Sequence, residues 1–450
     1  MLKLSIQSLK SPIMVVGGAL LAWLIIIPFL PYPLPLVLLL TLAYVLFWLS
    51  LFWPWLGMLG LVLARPLLDV FSNQTIITFF GLSINLAGFL ATAVILLYGL
   101  VFFSKHSNDS LPFKKSLQVF WLIALLGVLT SIDPKVSLAE WLRLSSIFVC
   151  FYLGFRLFGQ PRRWQRLITA AILSGLIPAI IAMAQFLTNT GLTIPMEGIF
   201  NRIYGTFAHP NLLAYYLVVV ISLLGFELIR RPKRQLIFWA YAALGGFYSL
   251  VLILTYTRGA WLALIATFGI AGLLRFRKFL LIFCLVLFVV YAGIGPIRNR
   301  VNDLTGGRYS SIQWRFQLWS DSMNYLGDRL ILGYGTGTAK EVILKQRGEE
   351  AGSADPHNDY LKLALENGLV GLITYIWLLL LIVNTLVKHY RKAVTPEAKN
   401  FLVIYLGLSL ALFGLSAADN ILRNTVLQWV YWLVLGSTLA AAKHSLQNNN

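Results

Sequence analysis

The chain has 450 residues, 58% of them hydrophobic and only 12% charged, whereas soluble domains carry roughly a quarter charged residues. With a mean hydropathy of +0.78 it lacks the polar surface to cover a water-soluble globule, so a soluble fold is excluded and most of the chain faces lipid. The 36 Lys and Arg against 17 Asp and Glu give +19, which in such a chain is read first as a topology signal and not as a nucleic-acid footprint.

A membrane-spanning helix needs about 20 mostly apolar residues, because every backbone polar group must be satisfied within the segment. Taken in chain order, runs of that kind fall near 13–30, 34–52, 55–71, 84–103, 117–132, 140–158, 167–187, 211–229, 236–254, 260–274, 279–295, 368–387, 400–417 and 425–442. The expectation is an all-α polytopic membrane protein with about 14 spans, of which 55–71 is the weakest. The first run follows Lys3 and Lys10 as a signal peptide would. Its length, the following Pro28, Pro31 and Pro33, and the lack of an A-x-A pattern favour a retained helix. Cys150 and Cys284 each lie inside an apolar run, so neither a disulfide framework nor a thiolate metal site is indicated.

Basic clusters recur at every second connection: Lys105 with Lys114 and Lys115, Arg162 with Arg163 and Arg166, Arg230 to Arg234, Arg275 to Lys278, and Lys388 to Lys392. The positive-inside rule puts these loops and both termini in the cytoplasm. The connections at 132–139, 188–210, 255–259, 296–358 and 418–424 then lie on the outer side. The insert at 296–358 is too long for a simple turn, and long loops of this kind are usually functional. Within it, residues 315–326 carry Phe316, Trp319, Met323 and Leu326 at helical spacing, the pattern of an amphipathic helix resting on the membrane domain. Thr338 and Glu341 have capping-box spacing, and residues 359–366, closed by Asn367-Gly368, read as a short helix leading into the next span.

The unusual polar residues gather on the outer side. They are Arg202-Ile-Tyr-Gly-Thr-Phe-Ala-His209-Pro-Asn211, Thr255-Tyr-Thr-Arg258-Gly-Ala, Arg315-Phe-Gln-Leu-Trp319 followed by Gly333, Gly335 and Gly337, and Pro356-His357-Asn358-Asp-Tyr-Leu361. Each has a plainer reading. Membrane-edge arginines snorkel to headgroups, and His209 next to Pro210 and Asn211 is placed to start a helix. The glycine series lacks the G-K-[ST] ending of a phosphate loop. His357 can serve as a base near neutral pH or as a helix cap. Trp261, Trp314 and Trp319 can stack on sugars or belong to the aromatic belt. No spacing of His, Asp or Glu on this side matches a metal site, so no metal is expected. For charges inside spans, Arg65 with Asp69 and Asp419 with Arg423 are i, i+4 pairs expected to neutralise one another, and Glu140 with Arg143 reads similarly.

In this order, R-x-x-G-T-F-x-x-P-N-x-x-A from Arg202, T-x-T-R-G-A from Thr255, R-x-x-x-W from Arg315 and H-N-D-Y-L-x-x-x-x-E-x-G-x-x-G from His357 resemble the O-antigen ligase and O-antigen polymerase superfamily. The resemblance covers roughly 200–371 and implies a GT-C-like membrane glycosyltransferase of the bacterial inner membrane. It divides the chain into spans 1–11 (1–295), a large periplasmic catalytic loop (296–367) and spans 12–14 (368–450). The implied partners are an undecaprenyl-diphosphate-linked glycan donor, a lipid A core or lipid-linked glycan acceptor and membrane lipids, with no nucleic acid and no cofactor. The implied reaction is an inverting, metal-independent transfer at the periplasmic face, with His357 and Arg258 catalytic. Arg202, Arg315, His209, Asn211, Asn358 and Trp319 are expected to hold the diphosphate or glycan. The competing expectation is a secondary transporter of an anion, sugar or inorganic carbon, which would place its polar site midway along broken helices.

Overall fold

The computed structural model describes residues 16–18, 22, 34–71, 75–79, 82–104, 111–193, 201–278, 311–348 and 355–447. Their helices are α1 (Leu34–Phe52), α2 (Pro54–Leu68), α3 (Leu86–Ser104), α4 (Lys114–Leu129), α5 (Pro134–Leu157), α6 (Pro161–Ser174), α7 (Leu176–Thr188), α8 (Pro210–Arg230), α9 (Leu236–Leu254), α10 (Arg258–Leu274), α11 (Ser311–Leu326), α12 (Ala339–Arg347), α13 (Asp359–Lys392), α14 (Pro396–Leu415) and α15 (Thr425–Gln447). The all-α, multi-spanning expectation holds. Among the described residues 8 helical stretches are long and apolar enough to cross a membrane, α6 and α7 forming one of them. The expected run at 279–295 and most of 13–30 lie outside the described residues, as do parts of the insert at 296–358. Two short antiparallel ribbons join the helices, Thr75–Phe79 with Leu82–Asn85 and Leu192–Thr193 with Asn201–Arg202.

Small residues let the helices approach closely, the usual device where lipid gives no hydrophobic drive between spans. Gly154 of α5 faces the backbone of Leu433, and Gly436 of α15 faces that of Phe151, so each helix seats its glycine against the other's main chain. Helix α8 is buried along most of its length. It forms the centre around which α9, α10, α14 and α15 pack.

Helix α13 is broken at Gly368 (φ 65°, ψ −171°), a left-handed conformation that side chains with a Cβ rarely adopt. A break inside an apolar helix frees backbone groups that need new partners, and the loop at 330–335 supplies them. Tyr334 N donates to Leu365 O (2.8 Å), Gly335 N donates to Glu366 O (2.9 Å) and Leu369 N donates to Leu330 O (2.9 Å). Gly333, Gly335 and Gly337 all have positive φ. Gly333 lies against the Glu366 backbone and Gly335 against Ser131. The glycine series is therefore a loop shaped to dock on the kink, in agreement with its plain reading.

Helix α11 corrects the expected amphipathic face. The side chains it buries are Leu318 and Ser322, joined by half-buried Trp314, Tyr325 and Leu326; of the expected face Leu326 thus packs inward, whereas Phe316 and Met323 are 61% and 58% exposed. The helix has apolar residues on two sides, and apolar spacing alone does not say which side meets protein. Thr338 does precede α12, but its hydroxyl donates to Gly335 O (2.7 Å) and makes no cap bond, so the capping box is not formed.

The expected internal charge pairs form in two cases, Arg65 with Asp69 (3.0 Å) and Arg143 with Glu140 (2.7 Å). The third is corrected. Asp419 and Arg423 do not pair, because α14 ends at Leu415 and residues 416–424 form turns, not a helix that would stack positions four apart. Arg423 instead lies 3.8 Å from Glu140, 3.8 Å from Asp355 and 3.9 Å from Glu366. Lys362 sits 3.7 Å from both Glu140 and Glu366.

Candidate functional site

Four connections meet at one end of the bundle: 201–209 before α8, 255–257 between α9 and α10, 355–358 before α13, and 416–424 between α14 and α15. Gln185 near the end of α7 clamps the first. Its carbonyl accepts from Tyr204 N (3.0 Å) and Gly205 N (2.8 Å), and its amide donates to Gly205 O (3.1 Å). Pro210 then opens α8, with its fixed φ suited to a first helical turn. His209 caps the helix through Nδ1, which accepts from Asn211 N (3.1 Å).

The centre of the cluster is Asp419, 6% exposed. Its Oδ1 lies 3.0 Å from His357 Nδ1 and accepts from Asn420 N (2.9 Å). Its Oδ2 accepts from Asn211 Nδ2 (2.9 Å) and from the Tyr215 hydroxyl. Burial alone would raise this carboxyl's pKa. The hydrogen bond and charge of His357, the charge of Arg315 and the Tyr215 bond outweigh that and hold it well below the usual carboxylate range. An ionised carboxylate only accepts, so Nδ1 of His357 carries a proton and donates it to Asp419, which leaves Nε2 as the ring nitrogen turned away from the carboxylate.

His357 has φ 48°, a conformation uncommon for residues other than glycine and one that recurs at functional sites. The surroundings fix it. Asn358 caps α13, its Oδ1 accepting from Tyr360 N and Leu361 N (3.1 Å each). Asp359 N donates to Ser416 O (2.8 Å), and the Asp359 carboxylate accepts from Leu422 N (2.8 Å). Trp314 of α11 meets the imidazole edge-on at 6.2 Å between ring centres. Trp319 Nε1 donates to Pro356 O (2.6 Å), tying the same helix to the residue before His357.

Of the expected residues, Arg202, Asn211 and His357 are linked by a hydrogen-bond chain through Asp419. Arg202 Nη2 donates to Asn211 Oδ1 (2.8 Å) and to Thr257 Oγ1 (2.9 Å), while its Nε donates to Thr255 O (2.9 Å). Asn211 passes the connection on to Asp419. Arg258 is the first residue of α10, next to Thr257, and Gly259 behind it faces the Tyr215 ring and hydroxyl. Arg315 Nη1 donates to Ala418 O beside Asp419, and its other N–H groups have no protein partner among the described residues. The sequence reading missed Asp419, Tyr215 and Thr257. Asp419 carried a usable signal, an acidic residue in a short connection between two apolar runs, which the i, i+4 pairing with Arg423 explained away.

Among the described residues there is no group of three or more His, Cys, Asp or Glu that could hold a metal ion. Residues 243–376, a stretch that includes Arg258, Arg315 and His357, match the family model described as O-antigen ligase. A search of curated proteins gives no match.

Proposed function

That match supports the chain as a member of the O-antigen ligase and polymerase superfamily, and from this premise we propose that it transfers a glycan from undecaprenyl diphosphate to an acceptor sugar hydroxyl at the periplasmic face of the inner membrane. The family supports, at the coarser level, a membrane glycosyl-transfer enzyme of surface polysaccharide biosynthesis. The observation that carries the finer reading is the His357 to Asp419 pair, with Arg315 bonded to the Ala418 carbonyl beside it.

His357 Nε2 takes the proton of the acceptor hydroxyl as its oxygen attacks the anomeric carbon. Asp419 stabilises the imidazolium so formed. The new bond forms opposite the breaking carbon–oxygen bond, so the configuration inverts and undecaprenyl diphosphate leaves. Arginine offers a fixed fork of donors to a diphosphate on which charge accumulates. We assign that role to Arg258 and Arg315. Arg202 donates to Asn211, Thr257 and the Thr255 carbonyl, so within this reading it supports the site through Asn211 and Asp419. His209 and Asn358, as helix caps, position their neighbours, and Trp319 holds the Pro356 carbonyl. The cluster draws its polar groups to helix ends, whereas a transporter site would sit midway.

Replacing His357 or Arg258 with Ala is expected to abolish transfer from a lipid-linked donor while the protein stays folded in the membrane; full activity in both variants would overturn the mechanism. Gel analysis of surface polysaccharide in a deletion strain separates the two branches. Full-length chains missing from lipid A identify a ligase, and single repeats identify a polymerase.

A further inference from the structure

Helices α8 and α13 start at the His357 cluster and run to the opposite end of the bundle; α14 and α15 connect the same two ends. At that opposite end, residues from α6, α8, α13, α14, α15 and the 393–395 connection enclose a cavity of about 710 Å³, a size typical of sites for one small molecule. Its rim is basic. Arg162, Arg166, Arg230, His389 and Lys392 line it, with Glu397 as the one acidic residue. Glu397 is engaged by Arg230 at 3.1 Å. Arg162, Arg166 and Lys392 have no carboxylate partner among the described residues, although Arg166 also lies over the Trp55 ring. Two helix N-termini add partial positive charge at the same place, those of α6 at Pro161 and α14 at Pro396.

The walls are of another kind. Trp164, Phe401 and Leu402 line the cavity below the rim, where Phe401 and Leu402 are buried and Trp164 is half-buried. A ligand that satisfies both parts carries a phosphate joined to an apolar body. Free phosphate would leave the apolar walls unused. Basic pockets between spans on the positively charged side of a membrane protein are suited to anionic headgroups. We propose that this cavity binds the phosphate headgroup of an anionic phospholipid from the surrounding leaflet, with the upper part of its acyl chains against Trp164 and Phe401. A lipid seated there ties together the far ends of the helices that present Asn211, His357 and Asp419. The proposal does not depend on the transfer reaction.

The test is native mass spectrometry of the full chain in detergent, titrated with phosphatidylglycerol, phosphatidylcholine or inorganic phosphate. One retained phosphatidylglycerol per chain is expected, with phosphatidylcholine lost at the same concentration. Arg162 and Lys392 are exposed, so the double variant Arg162→Gln/Lys392→Gln keeps its core and should bind phosphatidylglycerol about thirtyfold more weakly. Should the double variant fail to fold, Arg162→Gln alone should show about a fivefold loss. Equal retention of phosphatidylcholine, or unchanged binding in the variants, would overturn the proposal. Displacement of the lipid by inorganic phosphate at equal concentration would do the same and would mark a free-phosphate site.

Discussion

Asp419 and Arg423, four residues apart, turn to different partners: Asp419 takes the His357 imidazole at 3.0 Å, while Arg423 reaches Glu140, Asp355 and Glu366 at 3.8 to 3.9 Å. The short connection between α14 and α15 thus feeds two separate clusters. One is acidic toward a histidine, the other a mixed network that anchors the start of α13.

The first cluster predicts a graded effect at Asp419. Asp419→Asn keeps the shape but removes the charge that stabilises protonated His357, so transfer should fall by about two to four orders of magnitude with little change in donor binding. Steady-state kinetics on purified protein check this, and a change confined to KM would contradict it.

The same residue sets a pH dependence of stability. Its folded pKa is depressed, so its stabilising contribution is fully present above the ordinary carboxyl value of about 3.9 and is lost as the pH falls through the folded value. Melting temperatures of wild type and Asp419→Asn should differ above about pH 5 and converge as the pH falls below the ordinary carboxyl value. A gap that widens in acid would refute the assignment.

Arg315 and Arg202 should separate by kind of defect. Arg315 has N–H groups without a protein partner among the described residues, so Arg315→Ala should weaken donor use about tenfold or more with the fold intact. Arg202 is buried and bonded to Asn211, Thr257 and the Thr255 carbonyl, and Arg202→Ala leaves Asn211 and Thr257 with lost partners. It should lower stability by about 1–3 kcal/mol as well as activity, as read by thermal unfolding in detergent beside transfer assays.

The second cluster predicts non-additivity. Lys362→Met leaves Glu366, itself 2% exposed, beside a second carboxylate and should destabilise by about 3 kcal/mol. The double variant Lys362→Met/Glu366→Leu should recover part of that loss, because the uncompensated charge is gone. Thermal unfolding of the four proteins in one cycle measures the coupling.

How far the sequence leads depends on the range of the interaction. Hydrophobic run length marked α5, α8, α9, α14 and α15 because each span satisfies its own backbone. The break at Asn367-Gly368 was legible because it depends on local backbone conformation. The Arg, His and Asn positions of the connections before α8, α10 and α13 were legible as unusual residues in a lipid-facing chain. The pairing of His357 with Asp419 was not. It joins residues 62 positions apart across two spans, and Asp419 had a nearer candidate in Arg423. The buried face of α11 was illegible for a related reason, since Phe316 and Leu318 are equally apolar and only the docked partner selects between them.

The hydrogen bonds between residues 330–335 and 365–369 at the Gly368 break carry a practical lesson for building chimeras. A junction at 367/368 looks natural, since it separates a long loop from a membrane span. It would cut through a joint in which each side completes the other's backbone, and it would leave His357 on a segment whose geometry is set by Ser416 and Leu422. Exchange between relatives should therefore move α11, the glycine loop and the whole of α13 together, with the 416–424 connection as their necessary counterpart.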